Sequence, residues 1–436
     1  MRLPSRPPFT LRARILTPLA AGGTRYEADG ALEVDAAGRI GRVEPWKEPN
    51  PGTGGIVDLR PWVLLPGMVD LHAHLPQLPN AGVGAGLDLL SWLERYIFPL
   101  ERGFDEAAAE RLAPQAFRAL AAAGTTTALM YGAVFEPSLE AAFRAAEAHG
   151  LRAILGKVMM DRRTYDPTHR PEEILELSLR QSIALCERWH GRDGGRLQYA
   201  FTPRFAVSCS AEMLRESAAA AHARGAYWQT HLAEDRAELA EVARLFPEAL
   251  DYTDVYDRAG GLGERSILAH AIHLSEREIA RLAETRTRVA HCPASNLFLA
   301  SGAMPLARYL AAGIAVGLGS DVAGGPQLSL FEVMKAGAYT QSARRVALGD
   351  APPALGPLDW LRLGTLEGAR ALGLEGIMGS LETGKEADLI ALDPALVAPL
   401  PGVDSDDPAE LMSRFIFRNH PAMVRGAWVR ARLLAT

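Results

Sequence analysis

Cysteine is scarce in this chain. Only Cys186, Cys209 and Cys292 occur among 436 residues, widely spaced and with no CxxC pair. That pattern excludes a disulfide framework and a zinc knuckle, and it fits reduced thiols in a cytosolic protein. Lysine is nearly as rare, with Lys47, Lys157, Lys335 and Lys385 the only four among 46 basic residues, a bias toward arginine that reads as codon usage. No positive excess is present either. The formal net charge of -6 gives no reason to expect nucleic acid or an anionic membrane as partner. No uncharged run approaches the roughly 20 residues a membrane helix needs. The opening "MRLPSRPPFTLRARILTPLA" is rich in proline with alternating apolar positions, which suits a strand better than a signal peptide. Internal repeats and low-complexity tracts are missing as well. What is there, 48% hydrophobic and 22% charged residues, is the composition of a packed globule, expected to be soluble and cytoplasmic.

From about Pro61 to Leu372, short apolar runs alternate with longer segments of helical spacing. The runs are "WVLLPGMVDLHAH", "TTTALMYGA", "RAILGKVMMD", "LQYAFTPRFAV", "AYWQTHLAE", "SILAHAIHL", "TRVAHCPASN" and "AVGLGSDVAGG". Between them, segments such as "AEMLRESAAAAHARG" and "PLARYLAAG" close on glycine, a common helix stop. Eight buried strands alternating with helices predict an α/β fold. A closed (β/α)8 barrel is favoured over a doubly wound sheet by their number. Both chain ends read as β alternation with glycine turns, and are expected to combine into a small β-sandwich. The expected division is 1–60 and 376–436 for the halves of the sandwich and 61–375 for the catalytic barrel. "PLPGVDSDDP" reads as a surface loop, and "LPNAGVGAGLDLLSWLERYIFPLE" as a long insertion near the barrel mouth.

The polar residues fall in a pattern. In every run but the second and third, an unusual residue stands toward the C-terminal end: His72 and His74, Arg204, His231 and Glu234, His270, His291, Asp321. A (β/α)8 barrel carries its active site at that end of its strands. His72 and His74 are two apart, so both point to one face of their strand, a poor hydrophobic choice and a good chelate. Imidazole suits zinc or iron. A lone HxH is weak, but His231, His270 and Asp321 at equivalent ends make the reading strong. The expected ligands are His72, His74, His231 and Asp321, with one position left for water. His270 either hydrogen-bonds that water or is itself a ligand. A second metal lacks a bridging anion, so one ion is expected. Glu234 is placed to carry a proton from the water to a ring nitrogen or leaving amine, as hydrolytic deamination requires, and Asp321 can share in the relay.

Other candidates carry blander readings. His149, His169, His190, His222 and His420 have helix or loop surroundings and no assigned role. His273 supports His270 or packs. His291 is open between supporting the site, scaffolding its loop and touching substrate. Lys157 is read as structural, and Cys209 and Cys292 as buried thiols, since a metal would supply the nucleophile.

With these residues in view the chain resembles the amidohydrolase superfamily, on "PGMVDLHAH", "THLAE", "LAH", "HCPASN" and "GLGSD" in that order, closed by "GKEADLIALD". Narrower pieces resemble its guanine deaminase branch: "HAHLPQ", "LLSWLERYIFP", "GTTTALMYG", "GKVMMD", "TPRFAVSCS" and "QTHLAED". The resemblance implies one Zn2+ (or Fe2+) on His72, His74, His231 and Asp321, and Glu234 as proton shuttle. It implies Gln77, Arg204 and Phe205 as readers of a purine, guanine, bordered by His74 and His231. It also implies a homodimer. Arginine has only donors, so Arg204 in a dry pocket suits the guanine O6 and meets the amino group of adenine badly. Phe205 offers a face for stacking, and Gln77 a donor and an acceptor. Water would attack C2, Glu234 would protonate the ring, and ammonia would leave to give xanthine. Against this, Arg204 could be a strand-end salt bridge and Phe205 a core aromatic, although Pro203 and their position argue otherwise.

One departure is "AHAIHL", with Ala271 where many relatives carry glycine. No PCxxC occurs, which excludes the other zinc deaminase design. Two rivals stand beside this reading. One is another aminohydrolase of the same barrel, acting on adenosine-type thioethers, cytosine or triazines, against which "HLPQ" and "TPRF" argue. The other is a barrel that has lost catalysis and serves in assembly, which should have lost a metal ligand.

Overall fold

The computed structural model describes residues 2–48, 55–349 and 354–436, the side chains of 171 and 172 aside. Alternation near the start of the chain makes strands with one buried face, as in β1 (Phe9–Pro18), followed by β2 (Thr24–Val34), β3 (Ile40–Pro45) and β4 (Ile56–Pro66). The barrel strands are β5 (Met68–His74), β6 (Thr125–Tyr131), β7 (Arg152–Gly156), β8 (Val158–Met159), β9 (Leu197–Pro203), β10 (Tyr227–Leu232), β11 (Ser266–His270), β12 (Arg288–His291) and β13 (Val316–Leu318). The chain returns to the first sheet with β14 (Leu389–Leu392), β15 (Val424–Val429) and β16 (Arg432–Leu433).

Strands β5, β6, β7, β9, β10, β11, β12 and β13 pair in parallel in that order. The ring closes where the segment after β13 meets β5. Asp321 donates its N–H to His72 O at 2.7 Å, and His74 donates to Val322 O at 3.0 Å. Strands β5, β6, β9 and β10 are buried along their whole length, as parallel strands covered on both faces must be. Helices run between them with the expected stops. Ala211–Arg224 is capped by the Ser210 side chain, which accepts from Met213 N, and ends on left-handed Gly225.

The two chain ends form one seven-stranded sheet, in the order β16-β15-β14-β4-β1-β2-β3. The expected sandwich takes this form because β4 pairs parallel with β1 and antiparallel with β14, joining both ends in a single ladder. Leu11, Ile15, Leu32, Leu64, Leu389 and Trp428 make its core. Two details differ from the run pattern. The first apolar run is two strands, parted at Gly67, so the expected boundary at 60/61 falls inside β4. The helix Pro408–Phe417 buries Leu411, Met412, Phe415 and Ile416 in the barrel's core cluster rather than the sheet's. Among the described residues no helix is long and apolar enough to cross a membrane.

The long connection after β5 folds into short helical turns: Leu75–Asn80, Leu89–Trp92, Leu93–Ile97 and Phe98–Arg102. They bury Leu89, Trp92, Leu93 and Ile97 against the barrel, each such side chain contributing about 1.5–3 kcal/mol.

Gly67 is the tightest point of the passage between sheet and barrel. A Cβ there would lie 2.0 Å from Thr126 Oγ1 and 2.4 Å from Thr126 Cγ2, both buried. Gly67→Ala is therefore expected to destabilise the protein by about 1–3 kcal/mol through overpacking. Urea denaturation checks this, and adding Thr126→Ala should recover part of the loss.

Candidate active site

Three imidazole nitrogens and one carboxylate oxygen meet at the C-terminal end of the barrel. His74 Nε2 lies 3.3 Å from His72 Nε2 and 3.3 Å from His231 Nε2. Asp321 Oδ1 is 3.1 Å from His72 Nε2 and 3.3 Å from His74 Nε2. Donors held about 2.0–2.1 Å from one zinc-sized ion at tetrahedral angles are roughly 3.3–3.4 Å apart. The four side chains fit such an ion. Their chemistry fits as well. Burial pushes His72 down, His74 to about 4, and His231 well down, so all three present neutral lone pairs. His231 Nδ1 donates to Arg204 O at 2.6 Å, which fixes the tautomer with Nε2 bare. Desolvation would raise Asp321, but the adjoining imidazoles, His72 first, outweigh it and hold the carboxylate well below its usual range.

The backbone bends sharply to bring these groups together. Ala233, His270, Ala271 and Asp321, all just past or at strand ends, have φ between +47° and +71°. Left-handed conformations of this kind are costly for residues with a Cβ and persist where packing over-determines them. Ala271 lies on this strained turn. Asp70, which sequence reasoning missed, ties the first and last strands together. Its carboxylate accepts from Ser320 N at 2.9 Å, Ser320 Oγ at 2.6 Å and His72 N at 3.2 Å.

Glu234 and His270 stand beside the quartet. His270 Nδ1 donates to Asn296 Oδ1 at 2.9 Å, leaving Nε2 as a buried acceptor without a hydrogen bond. That nitrogen is 3.3 Å from Glu234 Oε2 and 3.8 Å from Asp321 Oδ2, close but not aligned for hydrogen bonding. Burial, reinforced by Asp321 and Glu238, holds the Glu234 carboxyl well above its ordinary value. The surroundings thus drive the two neighbouring carboxyls in opposite directions, Glu234 toward its protonated form and Asp321 toward its ionised one.

A cavity of about 350 Å³ opens over these groups, lined by Gln77, Trp92, Leu93, Arg204, Phe205 and Leu299 among others. The sequence-derived site residues therefore converge, Gln77, Arg204 and Phe205 included. The anticipated strand-end salt bridge also exists. Arg204 Nη1 donates to Glu101 Oε1 at 2.9 Å and Oε2 at 2.6 Å, and Gln77 Nε2 donates to Glu101 Oε1 at 2.7 Å. Glu101 was missed. Its only signal was a carboxylate at the end of the mouth insertion, in a chain where a buried arginine must find an anion.

Residues outside the cavity fall as follows. His273 Nε2 donates to Ser301 O at 2.8 Å, and Ser301 Oγ in turn donates to Glu234 Oε1 at 3.3 Å, so His273 supports the loop under the acid. His291 is fully buried with neither ring nitrogen hydrogen-bonded. Cys209 and Cys292 are buried thiols pushed upward by desolvation. Lys157 stands between β7 and β8 in a separate cavity, bonded to Ser178 Oγ at 2.9 Å, and burial lowers it to about 7. An amine whose folded pKa lies below its unfolded value costs stability at and below neutral pH, and the cost fades as pH rises toward 10. Lys157→Met should accordingly raise stability by about 1–3 kcal/mol at pH 7 and by progressively less up to pH 10, measured by denaturation at several pH values.

Known proteins share this architecture. A probable guanine deaminase of Deinococcus radiodurans is 41% identical over 375 residues, 84% of this chain and 83% of that protein. A solved guanine deaminase of C. acetobutylicum with bound guanine superposes with a TM-score of 0.90 at 27% identity, covering 98% of this chain and 99% of the other. An adenosine deaminase of Xanthomonas campestris with bound zinc gives a TM-score of 0.83 at 26% identity, covering 99% of this chain and 93% of that one. The model of the amidohydrolase family matches residues 63–434. With family match, barrel and convergent His/Asp quartet in agreement, the chain belongs to the amidohydrolase family and groups there with the guanine deaminases.

Proposed function

We propose that this protein hydrolyses guanine to xanthine and ammonia, using one divalent ion, zinc, on His72, His74, His231 and Asp321. The observation that carries the reading is the pairing of two features in one cavity: the converging quartet, and a wall of buried N–H donors from Arg204 and Gln77. When bound, the ion activates water for attack on the carbon that bears the amino group. Everything else falls to the chain's own residues.

Phe205, 4% exposed on the cavity wall, supplies a face for the base. Arg204 presents donors to the ring oxo group, where the amino group of adenine would leave donors facing donors. Trp92, Leu89, Leu93 and Leu299 keep the cavity dry, which strengthens every polar contact inside. Glu234, whose burial favours the protonated form, is placed to give a proton to the ring nitrogen. Its anion then takes a proton from water and returns it to the leaving amine. His270, with Nδ1 committed to Asn296, accepts a hydrogen bond at Nε2 and so orients the attacking water. An adenosine-type base, which carries no ring oxo group, would need acceptors on the Arg204 wall. A cytoplasmic location and a homodimer complete the reading. The three buried free thiols support the first. Exposed Tyr339, Val346 and Leu348 on the helix Leu330–Leu348 support the second.

Ammonia release from guanine, adenine, cytosine and S-adenosylhomocysteine by the purified metal-loaded protein tests the proposal. Selective turnover of guanine is expected, and preference for any other base would reject it. Glu234→Gln should keep one metal per chain yet lower kcat by about 10²–10⁴. Metal analysis beside steady-state kinetics checks this, and near-normal turnover would remove Glu234 from the mechanism.

A further inference from the structure

Glu101 belongs to the helical turn Phe98–Arg102 at the end of the mouth insertion, far in sequence from the residues it holds. It is completely buried. Among the described residues, the three hydrogen bonds to its carboxylate come from two residues, both of which line the substrate cavity: one from Gln77 Nε2 and two from Arg204 Nη1. A carboxylate has only acceptors to offer, and this fixes what each partner has left. Arg204 spends Nη1 on Glu101, and among the described residues its Nε and Nη2 form no hydrogen bond. Gln77 must turn its NH2 toward Glu101, which places Oε1 toward Ala323 N at 3.4 Å and away from free use. One N–H of the amide remains.

We infer that Glu101 is a positioning residue that makes the base-recognition wall donor-only, and thereby selects a ring carrying an oxo group at that edge. The inference rests on the guanine reading and deepens it. Without the carboxylate, the Gln77 amide is free to flip and offer its oxygen, and Arg204 loses both hydrogen bonds that set its guanidinium while keeping its contact at 5.4 Å with the Phe98 ring. Glu101 also balances the guanidinium charge, so the wall attracts by directed N–H groups rather than as a bare cation.

The test compares guanine with 2-aminopurine, which keeps the amino group to be hydrolysed and lacks the oxo group. The protein is the full metal-loaded chain. Glu101→Gln, isosteric but carrying its own NH2, should lower kcat/KM for guanine roughly 10- to 100-fold, chiefly through KM, and lower that for 2-aminopurine by less than about threefold. Metal content should stay at the wild-type level. Glu101→Asp keeps the charge needed for folding but is too short to hold both partners, and should shift the same ratio about 3- to 10-fold. A wild-type protein that leaves guanine untouched would overturn the functional reading and this inference together. Wild-type turnover of guanine, with both variants losing the two substrates equally or with an unchanged ratio, would overturn the role of Glu101 alone and mark it as a strut of the mouth insertion.

Discussion

The site depends on the closure of the barrel. Asp321 reaches His72 and His74 only because the segment after β13 hydrogen-bonds back to β5, through Asp321 N to His72 O and His74 N to Val322 O. Asp70 and Ser320 add side-chain bonds across the same seam. Loosening that seam by an ångström would part the only acid of the quartet from two of its imidazoles. It is also where the backbone is strained, with Asp321 at φ +47°. The hydrophobic barrel below holds the residues there.

Desolvation does the chemical sorting. Each titratable group in the cavity is buried, yet burial leads to opposite outcomes. It favours the neutral, ligating form of His72, His74 and His231 and the protonated form of Glu234, and is overruled at Asp321 by the adjoining imidazoles. The charges that survive are placed in pairs. Arg204 meets Glu101, as a fully buried guanidinium must, because an unpaired one would cost several kcal/mol. The same logic recurs at the other end of the barrel. There Arg152 of β7 bonds Glu386 at 2.5 Å and Asp388 at 2.9 Å, fastening the barrel to the terminal sheet.

Much of this was legible from residues alone, for identifiable reasons. Parallel strands covered on both faces leave continuous apolar runs, so the eight strands could be found and counted. A histidine or aspartate at the end of such a run has no packing motive, so His72, His74, His231, His270 and Asp321 stood out. Two readings shifted in detail. The run from Trp62 to His74 divides at Gly67, because a single continuous hydrophobic pattern does not reveal which sheet each half joins. The mouth insertion was recognised as such, but Glu101 within it looks like any acid on an amphipathic helical turn.

The amino-acid order alone therefore determined the barrel and marked the His/Asp quartet and Glu234 as candidates, since each leaves a periodic or positional mark within a few residues. Tertiary structure decided the rest. Separations near 3.3 Å among the donors, the tautomer of His231 imposed by Arg204 O, the opposite shifts of Glu234 and Asp321, and the clamp of Glu101 on Gln77 and Arg204 all depend on residues remote in sequence. Such pairings arise only when the chain closes on itself, and no local pattern encodes them.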